Sequence, residues 1–184
     1  ESEYIVRRDK INTKAYTDKF KGVGKNNVVD TKVRDVSVDI LNHRNATPYE
    51  DAYYLSARTG KTLHKIDDVD FEFGVPGKKD SKSFLLGCDE DLIAIHNHPS
   101  SSRPSITDIA TMLKYPNIKK LVVVGHDSTV YIISDIDERL TVAALDKLYV
   151  EQYNYYKRLY PPETAKSKAV DLIYSLDLFK FIKR

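Results

Sequence analysis

The segment 96–108 carries the side chains best suited to chemistry. His96 and His98 lie two residues apart at the end of the apolar run 92–95. Because the side chains of a strand alternate between its two faces, both imidazoles would project from one face. Asp108 falls in the first turn of a helix predicted to open at Ser105. Two imidazole nitrogens and one carboxylate leave the fourth tetrahedral position of a zinc ion open for water, which indicates a catalytic rather than a structural site.

Length and composition bound the class of protein. The chain has 184 residues, 41% hydrophobic and 30% charged, which is typical of one soluble globular domain with room for an appended segment. Its formal net charge of +2 gives no electrostatic case for binding nucleic acid or a membrane. The single cysteine, Cys88, excludes an internal disulfide and fits a reducing compartment.

No targeting or membrane segment is visible in the sequence. No run approaches the roughly 18 apolar residues of a membrane-spanning helix, and no signal peptide is present. We therefore expect a cytoplasmic location and no membrane partner. The chain begins at Glu1 rather than Met, which fits a domain excised from a longer chain.

The elements predicted around the histidines form an α/β or α+β domain with a central sheet flanked by helices. Strands are predicted at 53–56 and 61–66, which form a hairpin, and at 92–96, 121–124 and 130–133. Helices are predicted at 30–43, 105–114 and 138–160, with a last helical piece around 169–179. Asp30 or Thr31 would cap the first helix, and Pro161 with Pro162 would stop the third. The segment 71–83 is predicted to be a surface loop that helps to define the cleft.

We expect three parts along the chain. They are a basic N-terminal arm at 1–29, a core at 30–136, and a C-terminal helical extension at 137–184 packed on that core. The arm is rich in lysine and arginine and poor in apolar residues, so it is predicted to dock loosely.

The residues around the histidines resemble a known family, the JAMM metallopeptidases, also called MPN+ or JAB proteins. In that signature a glutamate precedes a strand, a His-x-His pair follows and a Ser-x-x-Asp closes the motif. The matching residues here are Glu50, the strand 52–56, His96-Asn97-His98-Pro99, Ser105 and Asp108. The sequence of this motif is most similar to that of the bacterial, phage and toxin-associated branches of the family, including RadC-like proteins. The likeness covers about residues 30–134.

The resemblance implies a fold, a cofactor and a reaction. The fold would be the JAB/MPN-like, cytidine-deaminase-like arrangement of a mixed sheet flanked by helices. A zinc ion would be held by His96, His98 and Asp108, and would lower the pKa of a water molecule toward about 7. Glu50 would be the general base, and the Ser105 hydroxyl would help to stabilise the oxyanion. The reaction would be hydrolysis of an amide or isopeptide bond in a protein or peptide, such as a ubiquitin-like or phage structural protein.

One departure from the family pattern concerns spacing. Six residues separate His98 from Ser105, whereas the family has seven. A shortened loop at 100–103 is expected to absorb this deletion, because the loop tip carries no ligand. The relative placement of Ser105 and Asp108 on one helix is unaffected.

Other interpretations stay open at the level of sequence. The Ser105 and Asp108 pair also matches a helix capping box, a role that is compatible with metal ligation. Other nearby acids that could replace Glu50 as the base are Asp51, Glu72 and Glu90. The alternative functions are a non-catalytic scaffold domain of a phage head or bacterial toxin protein and a RadC-like nucleic-acid-associated factor. An HNH nuclease is disfavoured, because the residues of that motif are dispersed.

The remaining histidines have no partner at a diagnostic ligand spacing. They are predicted to be surface or turn residues: His43, His64 and His126.

Overall fold

A single mixed sheet organises the part of the chain described by the computed structural model, residues 3–68, 70 and 79–184. Its strands are β1 (Ala52–Ser56), β2 (Thr62–Ile66), β3 (Leu92–His98), β4 (Ile118–Gly125), β5 (Val130–Ser134) and β6 (Lys180–Lys183). The order across the sheet is β2-β1-β3-β4-β5-β6. β3 and β4 run parallel, and the other neighbouring pairs are antiparallel. The predicted α/β class with a central mixed sheet is confirmed.

Helices flank this sheet. Those in the described residues are α1 (Arg8–Ile11), α2 (Lys14–Asp18), α3 (Asn27–Arg44), α4 (Lys79–Gly87), α5 (Ile106–Lys114), α6 (Val142–Tyr156) and α7 (Pro162–Ser175). None of them is both long and apolar enough to cross a lipid bilayer.

The start of α3 differs from the prediction. The N-cap is Asn26, whose side chain accepts a hydrogen bond from the Val29 amide. Asp30 lies inside the helix, and its carboxylate accepts hydrogen bonds from the amides of Gly22 and Gly24. Asn and Asp are both favoured at N-caps. The sequence alone therefore did not show that Asn26 caps the helix while Asp30 bonds the preceding loop.

Two apolar cores lie on the two faces of the sheet because strand side chains alternate. On β3, Ile93 and Ile95 face a core shared with α3. Leu92 and Ala94 face the other core, which α5, α6 and α7 complete. The two histidines follow the second series, so they lie at the edge of the α5 side.

The N-terminal residues belong to the first core, and the prediction of a loosely docked arm is wrong. Five apolar side chains of this segment are almost fully buried there: Val6, Ile11, Tyr16, Phe20 and Val23. Exposed lysines and arginines lie between them along the chain. The sequence of this segment therefore shows no clear apolar pattern that would predict a buried face. Arg184 contacts this segment as well, since its guanidinium donates to the carbonyl oxygens of Lys19 and Lys21.

Three further boundaries depart from expectation. In the segment predicted as a loop, residues 79–83 belong to α4, whereas 71–78 lie outside the described residues. The helix expected at 138–160 is confined to α6, and Pro162 opens α7 rather than only ending the helix before it. Residues after α7 form β6, which pairs with β5. β6 has only four residues, too few for a clear alternating pattern.

Candidate metal centre

Four of the predicted site residues converge at the carboxyl end of β3. Ligand atoms of Glu50, His96 and His98 all lie within 4.8 Å of one another. The Asp108 carboxylate oxygens lie 3.5 Å from Nε2 of His96 and 3.3 Å from Nε2 of His98. The chain therefore gathers two imidazoles and two carboxylates around one point, from three separate stretches of sequence.

The spacing of the two imidazoles fits a tetrahedral metal ion. Nε2 of His96 and Nε2 of His98 are 3.1 Å apart. Two nitrogens that each lie about 2.0–2.1 Å from zinc at a tetrahedral angle are roughly 3.4 Å apart. Nitrogen and carboxylate donors of this kind are those that Zn²⁺ prefers in catalytic sites. The residues present therefore fit the predicted zinc ion.

The loop after β3 fixes the ring of His98. Its Nδ1 lies 2.8 Å from the carbonyl oxygen of Ser102 and donates a hydrogen bond to it. This contact leaves the lone pair of Nε2 directed at the cluster, which is the arrangement that metal-binding histidines commonly use. The Ser102 carbonyl thus selects the tautomer that can ligate a metal.

The start of α5 orients Asp108. Ser105 is the N-cap, and its hydroxyl accepts a hydrogen bond from the Asp108 amide at 3.1 Å. In return, Oδ2 of Asp108 accepts from the Ser105 amide at 2.8 Å. The predicted capping box is therefore confirmed, and it coexists with the approach of the carboxylate to the imidazoles. The Ser105 hydroxyl is exposed and keeps its own proton for donation.

Burial and neighbouring charges shift the pKa values of Glu50, His96 and Asp108. Burial raises the pKa of Glu50, and the nearby His96 and His98 oppose this only in part. Burial also acts to raise the pKa of Asp108, but the adjacent imidazoles outweigh it and hold that pKa well below its usual range. For His96, burial acts to lower the pKa, whereas the Asp108 carboxylate raises it more. Asp108 is therefore ionised at neutral pH, whereas Glu50 binds a proton more readily than an exposed glutamate does.

Asn97 is a site residue that the sequence analysis did not assign. It lies between the two histidines on β3, so its side chain points to the opposite face, where it is fully buried. Its Oδ1 accepts from the Asp51 amide at 2.8 Å, and its Nδ2 donates to the Tyr49 carbonyl at 3.0 Å. It therefore holds the backbone on both sides of Glu50. Strand alternation alone could have flagged it, since a buried amide needs partners.

His126 completes this network. It lies in the turn after β4, in keeping with its prediction as a surface or turn residue, but it is buried. It is only 2% exposed. Its Nδ1 donates to the Tyr4 carbonyl at 2.8 Å, and its Nε2 accepts from Nδ2 of Asn97 at 3.0 Å. His126 thus connects the N-terminal segment to the residue that holds the Glu50 backbone.

The alternative acids are engaged elsewhere. Asp51 is buried against Arg44 and His43, at 2.6 Å from each. Glu90 accepts from the Ser56 hydroxyl, at the far end of β1 from the cluster. Glu72 lies outside the described residues. Of the described acids considered for the base, Glu50 is the one at the cluster.

The shortened loop after His98 is held at several points. The Ser101 carbonyl accepts from the Tyr131 hydroxyl at 2.7 Å, and its hydroxyl accepts from the Asp127 amide at 2.9 Å. A Cβ atom at position 125 would lie 2.9 Å from Cβ of Ser101, so Gly125 permits this close approach. The loop is therefore fastened to the β4–β5 turn despite its reduced length.

A cavity of about 670 Å³ opens at the cluster and continues along the face of the sheet. The four clustered side chains and Ser105 line its polar part. Its volume lies within the range of small-molecule and peptide side-chain sites. The cluster is thus accessible to a substrate.

Comparisons of this chain with protein-family models, with curated proteins and with solved structures gave no match. A function for the chain has to follow from its own residues and their geometry.

Proposed function

We propose that the chain is a zinc-dependent hydrolase of amide or isopeptide bonds in a protein or peptide substrate. The observation that carries this proposal is the convergence, in one cavity, of Glu50 and Asp108 on the same two imidazoles, those of His96 and His98. A purely structural zinc site is closed by four protein ligands and gives no access to substrate. A site with three such ligands and an adjacent carboxylate at a cavity suits hydrolysis better.

Each residue has a separate task. His96, His98 and Asp108 would hold the ion, and the ion would supply Lewis acidity and lower the pKa of a water molecule toward about 7. Glu50 would accept a proton from the attacking water at its carboxylate. It would then pass that proton to the leaving nitrogen, so that the amide breaks into a carboxylate and an amine. The raised pKa of Glu50 favours this role at neutral pH.

Ser105 would stabilise the developing negative charge on the substrate carbonyl. Its oxygen accepts a hydrogen bond from the Asp108 amide, which leaves the hydroxyl proton available for donation. Because the hydroxyl lines the cavity, it can donate to a substrate oxygen there. Loss of one such donor typically costs about 100- to 1,000-fold in rate.

We further propose that the fold is of the JAB/MPN type. Support comes from the resemblance of the motif and from the order of elements: a glutamate before β1, the histidines on β3, and Ser105 and Asp108 at the start of the helix that leads to the parallel strand β4. Sites beyond the carboxyl ends of parallel strands are common in α/β proteins.

The first test is the metal content of the purified chain, measured by elemental mass spectrometry. We expect about one zinc ion per chain for the wild type and its loss in His98→Ala and Asp108→Asn. His64→Ala is the matched control, because His64 lies outside the cluster and bonds to Ser81. No bound zinc in the wild type, even after zinc is added back, would exclude the proposal.

The second test separates the base from the ligands. Glu50→Gln should keep zinc and lose hydrolysis of peptide and isopeptide substrates, because the amide cannot accept the proton. Loss of zinc in this variant would instead make Glu50 a ligand. Full zinc content without hydrolysis in the wild type would favour a metal-stabilised scaffold over an enzyme.

A further inference from the structure

Beyond the metal cluster, the cavity runs along β3 toward the middle of the sheet. Ala94 lies two residues before His96 and on the same face, at a spacing of about 6.6 Å along a strand. It pairs with Tyr54 of β1 and with Leu121 of β4. The small side chain of Ala94 therefore leaves space on the sheet directly beside the cluster.

Apolar side chains enclose this space. Leu85 of α4 lies at the cavity, as do Met112 and Tyr115 of α5. We call the set the apolar pocket: Tyr54, Leu85, Ala94, Met112, Tyr115 and Leu121. Among the described residues that line the whole cavity, the acids are confined to Glu50 and Asp108.

We infer that the apolar pocket binds a medium-sized or large apolar side chain next to the scissile bond, so that the substrates are peptides or conjugates with Leu, Met or Phe beside the cleaved amide. This inference rests on the proposed hydrolase function. A side chain of that length spans the distance from a carbonyl at the cluster to Ala94. Glycine at the same position would leave the apolar lining unfilled, and a charged side chain would lose part of its hydration against these apolar side chains.

The kinetic test uses zinc-loaded protein and peptides that differ only at the residues flanking the cleaved bond. We expect kcat/KM for Leu or Phe to exceed that for Gly by more than about 10-fold, since a single methylene in an apolar pocket is worth roughly 10- to 200-fold. Ala94→Leu should fill the pocket and reduce this Leu-to-Gly ratio. Ala143→Leu, on an exposed position of α6, is the matched control and should leave the ratio unchanged. An equal rate for Gly and Leu in the wild type would overturn the inference.

A second variant covers the case in which Ala94→Leu does not fold. Leu85→Ala enlarges the pocket from α4 without adding bulk to the sheet. We expect it to shift the preference from Leu toward Phe. An unchanged ratio of Phe to Leu would contradict the assignment of Leu85 to the pocket wall.

A binding test that does not depend on activity uses the metal-free protein. Met112 is the single methionine of the sequence, so methyl-¹³C labelling of methionine gives a probe at the pocket itself. N-acetyl-leucinamide should shift the Met112 signal in a saturable manner, whereas N-acetyl-glycinamide should not. Ala94→Leu should abolish the shift. The same response to both amides, or none to either, would overturn the inference.

The two tests keep the two proposals apart. A saturable Met112 shift with no hydrolysis of any peptide would support the pocket and refute the hydrolase function. Hydrolysis without side-chain preference and without a Met112 response would support the hydrolase function and refute the apolar pocket.

Discussion

At the scale of single residues, Asn97 supports the site from the face of β3 opposite the two histidines. Two histidines on one face of a strand require an intervening residue on the other face, where an unpaired amide would be costly. Asn97 uses that position to bond the backbone at Tyr49 and Asp51. One short segment thus presents the metal ligands on one face and positions the base from the other.

We expect Asn97→Ala to lower kcat while zinc content stays near that of the wild type, because Glu50 loses its backbone support and the ligands do not. The change also leaves the buried Asp51 amide without its partner, at a cost of about 1–3 kcal/mol in the free energy of unfolding, and removes the bond to the half-buried Tyr49 carbonyl. Denaturant unfolding and kcat per bound zinc are the measurements. The control is Asn117→Ala, which removes bonds to the Leu85 and Cys88 carbonyls and should lower stability but not kcat per zinc. Equal kcat losses in both variants would contradict a positioning role.

Zinc affinity should fall as the pH is lowered, because zinc binds the neutral imidazole and protons compete for it. The Asp108 carboxylate raises the pKa of His96 in the metal-free protein despite its burial. Protonation of His96 therefore begins at a higher pH than for an unperturbed histidine, and the affinity should drop as the pH falls through that raised pKa. Competition with a chromophoric chelator from about pH 8 to about pH 5 measures this dependence. An affinity that stays level over this range would count against His96 as a ligand.

At the scale of elements, the loop between β3 and α5 is held by α7, a helix that is distant in sequence. Tyr174 of α7 donates its hydroxyl proton to the Pro104 carbonyl at 2.7 Å. The Arg103 guanidinium lies 4.6 Å from the Tyr174 ring centroid and pairs with Asp171 of the same helix. The C-terminal helix therefore helps to set where the N-terminus of α5, and with it Asp108, lies relative to β3.

Tyr174→Phe should weaken zinc binding, because the loop that spaces Asp108 from His98 loses one of its two polar contacts with α7. The free energy of unfolding should fall by about 1 kcal/mol, as for a typical internal hydrogen bond. Zinc affinity by chelator competition and denaturant unfolding are the two measurements. Tyr160→Phe, at a largely exposed tyrosine, is the matched control. Zinc affinity equal in the two variants would exclude a role of the Tyr174 hydrogen bond in the spacing of the ligands.

At the scale of the whole molecule, the N-terminal segment is part of the fold that supports the site. Tyr16 and Phe20 pack edge to face at 5.2 Å inside the core beneath α3. The Tyr4 carbonyl reaches His126 and, through it, Asn97. The segment thus contributes both to the core and to the network behind Glu50.

Phe20→Ala should lower the free energy of unfolding by about 3–5 kcal/mol, the cost of removing a large side chain from a packed core. Unfolding should remain one cooperative transition, measured by denaturant with both fluorescence and circular dichroism. Val28→Ala, at an exposed position, should stay within about 0.5 kcal/mol of the wild type. A similarly small effect of Phe20→Ala would instead support the loosely docked arm that the sequence predicted.

The sequence by itself determined the local parts of this protein. Period-two alternation predicted β3 with both histidines on one face, and the Ser105 and Asp108 pair predicted the capping box that opens α5. These features depend on residues that are close along the chain, so a short window contains the information. The hairpin of β1 and β2 was predicted for the same reason.

Only the tertiary structure decided which distant residues meet. Glu50 reaches the histidines because β1 pairs with β3 and places Ala52 opposite His96. The burial of the N-terminal segment, the contact of His126 with Asn97, and the pairing of β6 likewise depend on contacts between segments far apart in the chain. Such contacts are set by strand register and by the shape of the whole core, and neither leaves a periodic pattern in any one segment.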